Sequence, residues 1–216
     1  MRKILFSLAF IFLFSAVVLA QNTRIGLTGG VVYSTMFTNI NGEKDLGDFK
    51  FGGTFGFMVD VPMEKSGSFR TGINFVQKGS DEEYIVGTDE YKLSRRLNYL
   101  EVPLMVMFKI PCKSSSVFRA GAGVTPAFAL TGKQKLEVNG SGEEEDIDFG
   151  DKTDSDLNWM DFGINLQVEY EFDSGVFLAL NYNHGINRLF VGGNEKDKLY
   201  NHYFGLRVGY FLTKKK

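Results

Sequence analysis

The sequence predicts an all-β fold, an eight-stranded antiparallel up-and-down transmembrane β-barrel. Three observations predict it. Apolar residues return at every second position along eight separate stretches. The connections between those stretches alternate between long and short. The chain is also rich in glycine and aromatic residues and poor in proline, with 25 Gly, 21 Phe, 9 Tyr, 1 Trp and 4 Pro in 216 residues. Glycine at about 12% exceeds the usual ~7% and suits crowded turns and faces better than a helix bundle. The length is that of one domain, and 44% apolar residues suffice for a core.

The elements follow in order. Met1-Arg2-Lys3 is a short basic start, and Ile4 to Leu19 is apolar apart from Ser7 and Ser15. Val18-Leu19-Ala20 supplies the small residues of a cleavage site, so residues 1–20 read as a cleaved secretory signal peptide and 21–216 as the barrel domain. The run is short for a membrane anchor helix. Without Arg2 and Lys3 the mature chain carries 22 bases against 26 acids.

The first strand sets Ile25, Leu27, Val31 and Tyr33 against Gly26, Thr28, Gly30 and Ser34. In the second, Phe49, Phe51, Gly53, Phe55, Phe57, Val59 and Val61 share one parity, and Lys50, Gly52, Thr54, Gly56, Met58 and Asp60 share the other. Side chains alternate faces in a strand, whereas a helix scatters such a pattern around its circumference. The third sets Phe69, Ile73 and Phe75 against Arg70, Gly72, Asn74 and Lys78. The fourth, Leu97 to Ile110, is apolar on both faces. Leu100, Val102, Leu104, Val106 and Phe108 go with the greasy face, and Glu101 and Lys109 with the other.

The fifth sets Phe118, Ala120, Ala122, Val124 and Phe128 against Arg119, Gly121, Gly123 and Thr125. The sixth sets Phe162 to Phe172 in steps of two against Asp161, Gly163, Asn165, Gln167, Glu169 and Glu171. The seventh sets Val176, Leu178, Leu180 and Tyr182 against Ala179, Asn181 and Asn183, and the eighth sets Phe204, Leu206, Val208 and Tyr210 against Gly205, Arg207 and Gly209. Long connections at 38–48, 80–90, 132–158 and 191–199 alternate with short ones at 62–67, 111–116 and 173–175. Short periplasmic turns and long external loops are the habit of outer-membrane barrels.

A soluble barrel of the lipocalin type fills its interior with apolar side chains and wets its outside. Here one face is almost wholly Phe, Val, Leu, Ile, Ala and Tyr, and the charges gather on the other in nearly balanced numbers. Exposed to water, the first face would be an apolar patch on every side. In lipid it is what the hydrocarbon requires, and a closed sheet leaves no backbone edge unpaired. The greasy face therefore points outward. An interior charge network is expected from Lys50, Asp60, Arg70, Glu101, Arg119, Asp161, Glu169 and Arg207, with Lys78, Lys109 and Glu171 on the same parity. Eight strands leave room inside only for side chains, so these charges must pair. Tyr33, Phe37, Phe49, Phe69, Trp159, Tyr170, Phe172, Tyr200 and Tyr210 stand near strand ends, as interfacial girdles do. Pro103 and Pro126 lack a ladder donor, so a bulge or local widening is expected at one or both, the alternative being that the strand ends there.

Three segments carry a family resemblance: LNYLEVPLMVMF from Leu97, LNYNHGINRL from Leu180 and FGLRVGYFL from Phe204. With the signal peptide and eight alternating strands, the chain resembles the OmpA/OmpX-type small barrels, and more closely the PorT-like outer-membrane barrels of Bacteroidetes-type bacteria. It departs from many such barrels in ending on Lys214-Lys215-Lys216, with Phe211 five residues from the end. The resemblance implies residence in the outer membrane of a Gram-negative bacterium and admits a role in protein secretion.

The chemistry-bearing residues are few. His184 and His202 are the only histidines, expected on adjacent strands near the outer rim, and no serine follows Gly175. Glu137, Glu143 to Asp146, Asp148, Asp151, Asp154 and Asp156 make the third long loop acidic, without the spacing of a calcium loop. The same residues can instead extend the hairpin beyond the membrane. The lone Cys112 excludes an internal disulfide and a cysteine-rich zinc site, and the net charge of −2 argues against nucleic acid. No Walker or HExxH motif is present, so no cofactor, metal site or catalytic residue is expected. The leading expectation is a non-enzymatic barrel presenting loops for adhesion, envelope integrity or a membrane complex. Its partners are outer-membrane lipid and lipopolysaccharide, with a protein partner on the loops. A narrow pore and a lipid-modifying enzyme are the alternatives, with a soluble periplasmic binder behind them.

Overall fold

A computed structural model describes residues 23–40, 42–63, 66–110, 116–151, 155–191 and 197–213. The predicted signal peptide, Cys112 and the terminal lysines lie outside the described residues.

Eight strands form one closed antiparallel ring: β1 (Arg24–Ile40), β2 (Asp48–Pro62), β3 (Gly67–Val86), β4 in two pieces (Asp89–Glu101 and Leu104–Ile110), β5 (Val117–Val138), β6 (Met160–Glu171), β7 (Val176–Gly185) and β8 (Lys198–Phe211). Each pairs with its sequence neighbour, and β8 closes onto β1 from Gly26↔Phe211 to Asn39↔Lys198. Closure matters because an open sheet edge cannot sit in hydrocarbon. Among the described residues no helix is long and apolar enough to cross a membrane, which says nothing about crossing by strands.

The faces divide as the alternation predicts. Phe51, Phe55, Leu166, Leu180, Phe204 and Leu206 stand exposed on the outside, while Asp60, Arg70, Lys78, Glu101, Asp161 and Glu169 are buried inside. Rings gather at both ends of the lipid-facing band. Tyr33 stacks on Phe49 and Phe128 on Trp159 towards the long-loop end, and Tyr170 meets Phe172 edge-on towards the short-turn end. Along β4, Leu104, Val106 and Phe108 point out, whereas Met105 and Met107 fill the inside; Lys109, although on the inner parity, is exposed beside the turn end.

At the prolines the strand is interrupted, not bulged. β4 lapses at Val102-Pro103, yet no bulge forms there: Glu101 pairs with Ala127 and Leu104 with Val124, one unbroken register. Val102 N donates to Pro126 O at 2.9 Å, and Pro126 has no N–H to return the bond. Two neighbouring prolines thus remove ladder donors at one place without inserting a residue. The bulges lie elsewhere. One falls where Asn98 meets Thr131 but Tyr99 meets Ala129, leaving Leu130 extra; the other lies between Phe49 and Thr54.

Two long connections are largely strand. β3 and β4 continue to a turn at Gly87-Thr88, and β5 returns through Asn139-Gly140 into a short strand, Ser141–Asp146. Asn139 and Gly140 both have positive φ, 53° and 80°, the pairing that a two-residue type I′ hairpin turn requires. A four-stranded sheet therefore projects past the lipid-facing band.

Candidate functional site

The lumen holds two layers of ion pairs, and the strand register builds both. In the layer near the short turns, Asp60 and Arg70 are direct cross-strand partners, as are Arg119 and Glu169, and Arg24 lies opposite Asp60. Arg70 grips Asp60 through both ends of its guanidinium, Nε at 2.6 Å and Nη2 at 2.8 Å, and also donates to Glu169. Arg119 Nη1 donates to Glu169 at 3.0 Å and to Glu171 at 2.5 Å. Arg24 completes the chain with a forked grip on Glu171, at 2.9 and 2.6 Å, and its guanidinium lies 3.7 Å from the Phe211 ring centre. Three arginines thus meet three carboxylates. Such a fork satisfies both oxygens of a carboxylate, which a point charge cannot do.

In the second layer Lys78 Nζ sits 3.0 Å from both Glu101 and Asp161. The Tyr203 hydroxyl donates to Glu101 at 2.7 Å, and Asn201 donates to Asp161 at 2.9 Å. Tyr99 offers its ring face to Lys78 at 4.7 Å. Arg207 is also buried, but its Nε and Nη2 find no hydrogen-bond partner, and it joins neither layer by a direct bond. Lys50 is placed apart. It reaches Asp81 at 2.6 Å and the Ser94 hydroxyl, at the outer rim. Lys50 keeps the parity of Asp60, opposite the buried Ser34 on β1, but it lies too far up the strand to reach either layer.

Apolar plates close the ends. Ile147, Phe149, Leu157, Leu189 and Phe190, from the connections after β5 and β7, pack onto Met36, Leu97, Tyr99 and Leu199 at the long-loop end. Met58, Phe177, Ala179 and Phe211 pack together at the other. Gly209 makes room for this: a Cβ there would stand 2.1 Å from Phe177 Cζ. Reading by alternation missed this apolar part of the interior, and it missed Arg24, Tyr99, Asn201 and Tyr203. Only the direct pairing of Arg24 with Asp60, a matter of register, reveals the first of them.

The projecting sheet is laced with charge pairs. Arg95 meets Glu82 at 2.7 Å, Lys92 meets Glu83 at 2.5 Å, Lys133 meets Glu144 at 2.5 Å and Lys135 meets Glu137 at 2.5 Å. The Lys133 hydrogen bond and charge hold the Glu144 carboxyl below its ordinary value, and Lys135 does the same for Glu137. His184 and His202 are direct partners across β7 and β8, on the outward face, with ring centres 4.4 Å apart. No cluster of three or more His, Cys, Asp or Glu suited to a metal occurs among the described residues.

The family model for the outer membrane protein beta-barrel domain matches residues 19–191. The chain belongs to that family. This outer-membrane barrel is thus a protein of the Gram-negative outer membrane, its greasy face in lipid and its rim among lipopolysaccharide. No curated protein matches it. Among solved structures it is similar to Neisserial surface protein A (10% identity, 88% of this chain and 99% of that one, TM-score 0.41). It is also similar to Ail, the attachment invasion locus protein of Yersinia pestis (10% identity, 88% and 100%, TM-score 0.42). A third is the outer membrane protease OmpT from Escherichia coli (8% identity, 90% and 98%, TM-score 0.34).

Proposed function

We propose that this barrel is a closed, non-enzymatic protein whose projecting sheet and acidic third loop engage a partner outside the cell, in adhesion, envelope integrity or a membrane complex. The observation that carries the reading is the division of labour in the structure. The lumen is filled by two ion-pair layers between apolar plates, while the β3–β4 hairpin, β5 and Ser141–Asp146 extend as a sheet beyond the lipid-facing band. Energy is spent on sealing the inside and on shaping the outside. The likeness of three strands to PorT-like barrels supports a secretion complex as the setting.

The reading is tested in two steps. In planar bilayers the purified barrel gives conductance at the background level, and steady ion current makes it a pore instead. In envelopes, deletion of residues 141–156 leaves the barrel folded and heat-modifiable on gels but removes co-purifying protein. An unchanged set of partners rules the loop out. As for catalysis, Tyr182 is the polar group bonded to His184, at 3.2 Å. Replacing both histidines by alanine leaves lipid A composition as it was; an altered composition makes the protein a lipid-modifying enzyme.

A further inference from the structure

The two imidazoles of the chain have been drawn together on the outside of the barrel, and nothing in the sealed interior uses them. His184 on β7 and His202 on β8 lie directly opposite each other in the ladder. Their ring centres are 4.4 Å apart, with an angle of 50° between the rings. Metal–nitrogen bonds of about 2.0–2.1 Å place the centres of two imidazoles that share one ion at roughly 4.5–5 Å, the shorter value belonging to a right angle at the metal. The observed spacing matches that near end without movement of the backbone.

The polar groups around the pair fit the same purpose. The Tyr182 hydroxyl lies 3.2 Å from His184 Nδ1. With Nδ1–H donating to that hydroxyl, Nε2 keeps its lone pair for a metal, which is how a neighbouring group orients a ligating histidine. His202 Nδ1 is buried without a hydrogen-bond partner, so Nε2 is the nitrogen this imidazole offers. The Phe37 ring stands edge-on to His202, and Tyr182 packs on Phe204, so both imidazoles are held within an aromatic wall. His184 is exposed, which leaves the approach from outside open.

We propose that His184 and His202 form a two-nitrogen site for a late first-row divalent metal ion at the outer rim of the barrel, with water completing the coordination and Tyr182 as a positioning residue. Imidazole suits Cu(II), Ni(II) and Zn(II), and Cu(II) and Ni(II) accept the right angle that the 4.4 Å spacing favours. The site does not depend on the proposed partner-binding role, because it lies on β7 and β8, away from the projecting sheet.

The test uses the full mature chain folded in detergent micelles and in phospholipid vesicles, with Cu(II) and Ni(II) salts as probes. One ion binds per chain, and the Cu(II) paramagnetic resonance spectrum carries two imidazole nitrogens. Since the chain has 2 His, no other residue can supply them. His184→Ala and His202→Ala each weaken binding at least tenfold and leave one nitrogen. Tyr182→Phe keeps both nitrogens but weakens binding. Heat-modifiable gel mobility reads the folding of every variant separately. A one-nitrogen spectrum for the unaltered protein overturns the proposal, as does an affinity that neither single histidine variant changes.

Discussion

Arg70 is the residue on which the inner layer turns. It lies wholly within the lumen and bridges Asp60 on β2 to Glu169 on β6, across the barrel from its own strand. Removing one partner of a buried ion pair leaves an uncompensated charge, at about 3–5 kcal/mol. Arg70→Ala should therefore lower the unfolding free energy in detergent by about that amount, measured by urea titration of tryptophan emission. Arg70→Ala combined with Asp60→Asn should recover part of the loss, because one orphaned carboxylate is then neutral. A double variant less stable than the single one would show that the layer is not held by charge pairing. Phe177→Ala belongs to the same scale. It removes a ring packed on Phe211 at 5.1 Å and opens a cavity, with an expected cost of about 3–5 kcal/mol.

Among the elements, the projecting hairpins are the ones that respond to solution conditions. Gly140 sits at φ 80°, where a Cβ is disfavoured. Gly140→Val should fray the Ser141–Asp146 strand, read as faster amide exchange there, and leave the barrel strands unchanged. Protonation acts on the same strand. Glu144 is held below its ordinary value by Lys133, so its contribution is present above the unfolded carboxyl value and is lost as pH falls through the lower folded one. Protection of residues 141–146, with the intrinsic pH dependence of amide exchange divided out, should then be full at neutral pH and fall only as the solution is acidified below the ordinary carboxylate range. Constant protection over that range would mean that the cross-strand pair does not order the strand. The β4 interruption has a local cause as well. Pro126→Ala restores a donor opposite Val102, so slow exchange of the new amide at that position would mark a repaired ladder.

For the molecule as a whole, the consequence of the two layers and two plates is closure. The conductance expectation belongs here, since a leak requires both plates and both layers to open together. The unpaired nitrogens of Arg207 and the uncommitted amides of Asn181 and Asn183 lie inside that closed volume, not along a continuous path marked by one sign of charge. Ring closure also explains why the lipid-facing band can be so apolar: no strand edge is left open within it, although the ladders lapse at the two prolines and at the two bulges.

How much of this was legible in the residues differs by feature. The period of two along Phe49–Val61 and Phe162–Phe172 determined strands, and the contrast of their two faces determined which one meets lipid, because a parity is a local property of the chain. The same reasoning set Asp60, Arg70, Glu101, Arg119, Asp161, Glu169 and Arg207 on the inner face. Lys50 keeps that parity as well but sits at the rim, where it pairs with Asp81 and not with the inner layers, and at the prolines the strand lapses without a bulge, because they remove donors without adding a residue. Which acid meets which base was not legible at all. Arg70 meets Glu169 and Lys78 meets Asp161 only because eight strands close into a cylinder narrow enough for side chains to span it. The folding of Ile147, Leu157 and Leu189 into the mouth is likewise a tertiary decision: those residues lie in segments without a strand period, and burial against Leu97 and Leu199 alone gives them a place.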